Sequence, residues 1–498
     1  MDASSGGELA SPSRKGRFRI TPGWVVLLVI FGMGVPPQMG PAVYGQSLLE
    51  RLANALVPAS PQETVGPHLK GAPLPSGPQA PTDKDFQKMY ATWLDRVLVS
   101  HLPAQMDPGM AAYAHEAVGV LEGGSLSPQI IAQARSFDFD TVTDPGLLFL
   151  LGFVDPATTR GLAIMKKSLA AMPGSSYPKF VWFMAAANYG KSLKTTNTGT
   201  EDQIQTADQQ SLDYLKQGLA DGSFKPDEMS ALRIRLSAPS GQDLISRNGE
   251  DVCQILESST NVSPWLAEYV QGCQSVEDAW KARGSDWGNK VTEEGWKGFE
   301  QNIAIARVHL TKSWQLNPHD PAAAAEMVTV CMAENEQPDT MRTWFDRSVA
   351  ADFDYIEAYS KFALGLRPRW LGNFAEMTAF GRECAATDRY DTAVPYVFVT
   401  SEMHLAEDSD NPAAPFDDQK LDSEILAVLD KYFEEPSPPI PTQYARTIAA
   451  IMAHKLGRMD EVRKHLAAID YQPVMNAFYR KLDDLPALIQ QAQASPSP

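Results

Sequence analysis

The sequence has few cysteines, and none stand close together: Cys253, Cys273, Cys331 and Cys384 are separated by 20, 58 and 53 positions in 498 residues. Thiolate zinc sites need closely spaced pairs such as C-x-x-C, so these spacings argue against one. In an oxidising compartment Cys253 with Cys273 is the candidate disulfide, because VCQILESSTNVSPWLAEYVQGCQ reads as two short helices joined near Pro264. Each thiol reads equally well as a buried apolar side chain. Long hydrophobic runs are also scarce. The exception, WVVLLVIFGMGV at 24–35, falls short of the roughly 20 residues a membrane-crossing helix needs. Positive charge is in deficit, with 43 Lys and Arg against 61 Asp and Glu and a net charge of −18. That balance, with no basic stripe interleaved with aromatics, excludes a nucleic-acid role and favours a solvated acidic surface.

Catalytic and cofactor signatures are missing as well. NYGKS (188–192) imitates the end of a phosphate-binding loop but has Ala185 where that loop requires glycine, and it follows the helix-like FVWFMAAAN. DSDN (408–411) begins like a calcium loop, yet Pro412 follows and no closing glutamate is present. Asp138 and Asp140 in FDFDTVTD mark a helix approach or turn. The histidine pairs 101/115, 309/319 and 454/465 are 14, 10 and 11 apart, none at the i, i+4 spacing that sets two imidazoles on one helix face. No nucleophile-elbow or catalytic-cysteine signature occurs. We therefore expect no cofactor and no metal, and no catalytic residue can be nominated.

What the chain does contain is an export signature followed by helices. Arg14, Lys15, Arg17 and Arg19 precede the apolar run, which stops at Pro36-Pro37 before Ala42 and Gly45. Residues 1–45 thus read as a signal peptide, or as an uncleaved signal anchor that would be the one membrane contact. Removing them takes away four cations and two acids, leaving a net charge of −20. Residues 46–85, punctuated by Pro58, Pro61, Pro67, Pro73, Pro75, Pro78 and Pro81, read as an extended spacer. Residues 86–290 read as an irregular helical domain, opening with Met89, Trp93, Val97 and Leu98 at helical spacing. Residues 291–485 read as helical repeats and 486–498 as a frayed, low-complexity tail. VPYVFVTSEM, although β-branched, sits in the repeat register and reads as helix, with Pro395 in its first turn. Near the end, Ile448, Ile451 and Met452 form one helix, Gly457 caps it, and Val462, Leu466 and Ile469 form the next.

The repeat is the most informative feature. Ala306, Leu310, Ser313 and Pro318 recur at Met341, Phe345, Ser348 and Phe353, and a third copy pairs Met377 with Met341, Phe380 with Trp344, Cys384 with Ser348 and Asp388 with Asp352. A looser copy places Met165, Ser168-Leu169 and Pro173 against Leu310, Ser313-Trp314 and Pro318. A unit of roughly 34 residues is a helix-turn-helix that cannot bury its apolar face alone and must stack on neighbours. Small residue, large apolar residue four on, small residue three on, then proline resembles the tetratricopeptide repeat, as does Leu456-Gly457. The pattern departs from that family where Met341, Met377 and Val462 replace the first small residue. The resemblance implies an all-α, TPR-like solenoid whose concave surface binds peptides or partner proteins. The layout also looks like that of exported bacterial repeat proteins.

Candidate contacts come from arginine and tryptophan. LRPRWLGNFAEM combines Arg367, Arg369 and Trp370 at a helix-helix turn. Guanidinium forks suit carboxylates, whether a partner's or the chain's own surplus. Of the ten tryptophans, Trp314 and Trp344 lie on the repeat pattern and read as interhelical core, whereas Trp287 in GSDWGNK could face a partner. The expected function is an exported protein-interaction scaffold of the cell envelope. The alternative is a carbohydrate-binding or glycan-acting protein, motivated by the tryptophans, the many carboxylates and the irregular N-terminal half.

Overall fold

The computed structural model describes residue 74 and residues 82–122, 127–285, 290–334, 338–368, 370–408, 418–474 and 485–494, among which twenty α-helices and no strand occur. The chain enters through α1 (Asp83–Val97), α2 (Pro108–Leu121) and α3 (Pro128–Ser136). It continues through α4 (Pro145–Val154), α5 (Thr159–Ala171), α6 (Lys179–Thr195) and α7 (Glu201–Ala220), then α8 (Met229–Ser237), α9 (Pro239–Ser258), α10 (Pro264–Arg283) and α11 (Glu293–Leu316). The last third holds α12 (Ala322–Ala333), α13 (Pro338–Ala351), α14 (Ile356–Gly365), α15 (Phe374–Ala385), α16 (Tyr396–Asp408), α17 (Gln419–Tyr432), α18 (Thr442–Lys455), α19 (Met459–Ala467) and α20 (Leu485–Ala494).

Local chemistry sets these boundaries. Three successive helices start on an acceptor followed by proline: Asp107-Pro108, Ser127-Pro128 and Asp144-Pro145. Each side chain takes a first-turn N–H, and proline occupies a position whose own N–H would be unpaired. Gly457 closes α18 at φ +72°, with its N–H on His454 and that of Arg458 on Ala453, the two bonds of a Schellman cap. The segment 394–403 is helical from Tyr396 on, with Val394 and Pro395 in the turn just before the helix instead of in its first turn.

Helices pack as neighbouring pairs, and one contact recurs. Ser168 on α5 donates to the Pro145 carbonyl at the start of α4 (2.8 Å), Ser313 on α11 to the Trp265 carbonyl at the start of α10 (2.7 Å), and Ser348 on α13 to the Pro321 carbonyl before α12 (2.9 Å). Each bond ties the end of the second helix to the beginning of the first, so the pairs run antiparallel. Two of them share a further detail. Gly152, seven residues after Pro145, lies against Met165, and Gly272, seven after Trp265, lies against Leu310. In α6 and α7 a glycine takes the close position directly, since Gly218 abuts the backbone of Phe180. The first helices α4, α6, α12, α14 and α18 are buried almost throughout, whereas α5, α7, α11, α13 and α19 keep a wet face.

Ion pairs between side chains mostly 41 to 43 residues apart then join successive pairs. Arg342 on α13 meets Glu383 on α15 (2.7 Å), Arg382 on α15 meets Glu424 on α17 (2.9 Å), and Lys431 on α17 meets Asp388 (2.6 Å). One apolar cluster runs from Leu74 to Leu405 and a second from Tyr390 to Ala492, with α16 giving Val397 and Leu405 to the first and Phe398, Val399 and Met403 to the second.

Three expectations change. The main cluster crosses position 290 without a break, as Trp280 on α10 packs edge-on to Phe299 on α11 at 4.7 Å. Leu74, inside the expected spacer, is buried in that cluster. Residues 485–494 form α20 instead of a frayed tail, because Leu485, Leu488 and Ala492 fall at helical spacing and bury against the second cluster. Residues 1–73, which include the signal segment, lie outside the described residues.

The close helix approach is testable. A Cβ on Gly272 would stand 2.5 Å from Leu310 Cγ. Gly272→Ala is expected to lower stability by about 1–3 kcal/mol through overpacking, read as a lower urea midpoint, despite alanine's better helix propensity.

Candidate interaction site

The arginine-tryptophan turn is part of the framework. Arg367, at the end of α14, is 1% exposed, and its Nε and Nη2 bond the two oxygens of Asp408 on α16 at 2.5 and 2.6 Å. As a partner contact this residue is therefore corrected: its bidentate fork binds the chain's own surplus carboxylate. Trp370 is half-buried and meets Trp280 edge-on at 6.4 Å. Arg369 and Trp287 lie outside the described residues. Trp314 and Trp344 have the expected interhelical role, perpendicular at 5.4 Å with the Arg347 guanidinium 4.2 Å from each ring.

Cys253 on α9 and Cys273 on α10 are free thiols, so the bridge considered for them is not formed in this structure. Burial pushes the Cys253 thiol up to about 12 and raises that of Cys273 as well, which keeps both from acting as nucleophiles near neutral pH.

A buried polar cluster joins α8, α12 and α14. Arg233 and Ser230 bond Asp320 at 2.8 Å each, and the second oxygen of Asp320 caps α12 through the Ala322 N–H. Lys361 bonds Glu326 at 2.5 Å and pairs with Glu357 at 3.2 Å, and Tyr355 donates to Glu357. Burial works against the Lys361 ammonium, but Glu326 and Glu357 outweigh it and raise its pKa. These groups are paired with one another, which suits a clasp between helix pairs better than acid-base chemistry.

Glu402 on α16 is different. It is 0% exposed, and burial pushes its carboxyl up to about 7, with Glu424 reinforcing the shift and Thr378 and Arg382 opposing it. His465 on α19 is also fully buried; burial, with Lys464 and Arg446, pushes it down to about 4 against the pull of Asp430.

Accessible surface lies elsewhere. Residues 322–332 of α12 are buried on every side, so the concave face implied by the repeat resemblance is closed over that helix. A cleft of about 460 Å³ opens between α5, α6 and α7, lined by Lys166, Tyr189, Asp202, Gln203, Gln210 and Tyr214 among others. On α11 the apolar side chains Ile305, Val308 and Leu316 face solvent. Sequence reasoning passed over that stripe. Its signal was a helix carrying apolar residues on two faces, the core face being Phe299, Ile303, Ala306 and Leu310.

Among the described residues no helix is long and apolar enough to cross a membrane, and no group of three or more His, Cys, Asp or Glu could hold a metal ion. No protein-family model matches the chain, and no curated protein matches it in sequence.

Two outcomes follow from these environments. Arg367→Ala removes the bidentate guanidinium from the Asp408 carboxylate and is expected to cost about 3–5 kcal/mol, seen as a lowered melting temperature. The ionised form of Glu402 is penalised only in the folded state, so its contribution makes stability fall as pH rises from about 4.5 to about 7. His465 does the reverse between about 4 and 6.5, since a depressed folded pKa loses stability as pH falls. Glu402→Gln should therefore expose a stability that rises with pH across 4.5–6.5. It should also add on the order of 3 kcal/mol at pH 8, measured by urea midpoints at each pH.

Proposed function

We propose that the chain is an exported scaffold of TPR-like helical repeats that binds other proteins in the cell envelope. The observation that carries this reading is the recurring pair geometry. The same serine-to-carbonyl bond builds α4/α5, α10/α11 and α12/α13, and inter-pair ion pairs stack the units, as in a helical-repeat array. Stacking of this kind supplies an extended, rigid surface. Much of the chain's buried charge is engaged in holding the stack together. Export rests on the cationic residues 14–19 and the apolar run after them.

A second reading has one observation in its favour. The cleft between α5 and α7 presents Tyr189 and Tyr214 beside a carboxylate and two amides, a mixture that suits sugar hydroxyls, and Tyr214 meets Trp182 edge-on at 5.4 Å.

Crosslinking of the tagged full chain in its native envelope, followed by mass spectrometry, separates the two. The scaffold reading expects a reproducible protein partner crosslinked to the wet faces of the outer helices, α13 among them. Recovery without any protein partner overturns it. Oligosaccharide-dependent quenching of Trp182 fluorescence, lost in Tyr214→Ala, would then move the assignment to glycan binding.

A further inference from the structure

The large apolar side chains that the described residues expose all lie on α11: Trp296, Ile305, Val308 and Leu316. Three of them share a face. With 3.6 residues per turn, Ile305 (47% exposed), Val308 (64%) and Leu316 (51%) fall within an arc of about 80°. Gln301 and Lys312 complete the row, and the intervals 301, 305, 308 and 312 are those of a seam that a second helix fills. The opposite side of α11 is already committed: Phe299, Ile303, Ala306, Leu310 and Ser313 are buried. An outer helix needs one apolar face to dock on its own chain, and this one has two.

Charge indicates what covers the second face. Residues 301–316 contain no Asp or Glu, in a chain that carries 61 of them and a net charge of −18. The Arg and Lys in that stretch are already paired within the chain, Arg307 with Glu334 and Lys312 with Glu268, which also bonds His309. An acidic partner would find these cations taken, and a basic partner would find no carboxylate in the row. A second copy of this chain would be repelled over most of its acidic surface. At this face it meets a largely apolar row identical to its own, whose one charged member, Lys312, is already paired with Glu268. Interface centres are depleted of charge in the same way.

We propose that α11 is a self-association surface, on which two copies meet through Ile305, Val308 and Leu316 about a twofold axis crossing the paired helices. A twofold contact buries the same patch on both copies, so one unused stripe per chain is enough to close the assembly. The row from 301 to 316 is about 24 Å long at 1.5 Å per residue, roughly two heptads of contact. Self-association on α11 goes beyond the scaffold reading and does not require it.

The test is sedimentation equilibrium of the full chain and of Ile305→Glu/Val308→Glu, both sites being exposed. The proposal expects the mass of two chains for the unaltered protein and of one chain for the double variant, with unchanged helical circular dichroism. Val308→Cys treated with a short bismaleimide should give a covalent dimer, while Glu201→Cys, exposed on α7, gives only the background of the unaltered protein. A one-chain mass for the unaltered protein at every soluble concentration overturns the proposal. So does a dimer that survives the double variant without crosslinking at position 308, which would place the contact elsewhere. Partner recovery from the envelope is a separate readout, so a dimer without a partner sinks only the scaffold reading, and a monomer with a partner sinks only this one.

Discussion

The architecture depends on how closely the second helix of a pair can approach the backbone of the first. A serine hydroxyl donates a second hydrogen bond to the Pro145, Trp265 or Pro321 carbonyl, at the start of the first helix, and fixes the antiparallel register of the pair. Glycine at 152, 218 and 272 allows the same proximity by removing a side chain at the contact. With the pair closed, α12 is enclosed along residues 322–332, and its alanine-rich, mostly apolar sequence AAAAEMVTVCM follows from that enclosure, its one carboxylate, Glu326, being paired with Lys361.

Charge plays the complementary part. The chain carries far more acid than base, and a large share of its arginines and lysines sit between helix pairs, matched to carboxylates in the next unit. Arg342 and Arg367 are each 1% exposed, and Lys361 is similarly enclosed. Enclosed cations of this kind align one repeat on the next and lose much of their value if either partner is removed. Their consumption leaves an acidic surface on which the outer row of α11, apolar at Ile305, Val308 and Leu316 and free of Asp and Glu from 301 to 316, stands out, so the clasps that stack the units also define where a like-charged copy can approach.

Features that depend on near neighbours in sequence were legible. The cap at Gly457 turns on residues within one turn of each other, and so does the helical pattern of the segment from Tyr396. The repeat register was legible for the same reason. Ser313, Ser348 and Ser168 align because each must meet one carbonyl, while Met341 could replace a small residue without disturbing the Ser348 bond. The C-terminal helix was missed because its apolar positions, Leu485, Leu488 and Ala492, lie in a low-complexity background and gain meaning only against the second cluster. Arg367 carried two readings in the sequence, and only the position of Asp408, 41 residues on, separated them.

The sequence by itself determined the helical class, the helix-pair unit and the surplus of negative charge, since periodicity, caps and composition are properties of the chain taken locally. Only the tertiary structure decided which cations are buried, that α12 is enclosed along residues 322–332, and that one side of α11 is exposed to solvent. Burial and exposure are relations between segments far apart in sequence: Ile303 and Ile305 are neighbours of the same residue type, and the placement of α10 puts one in the core and the other in water.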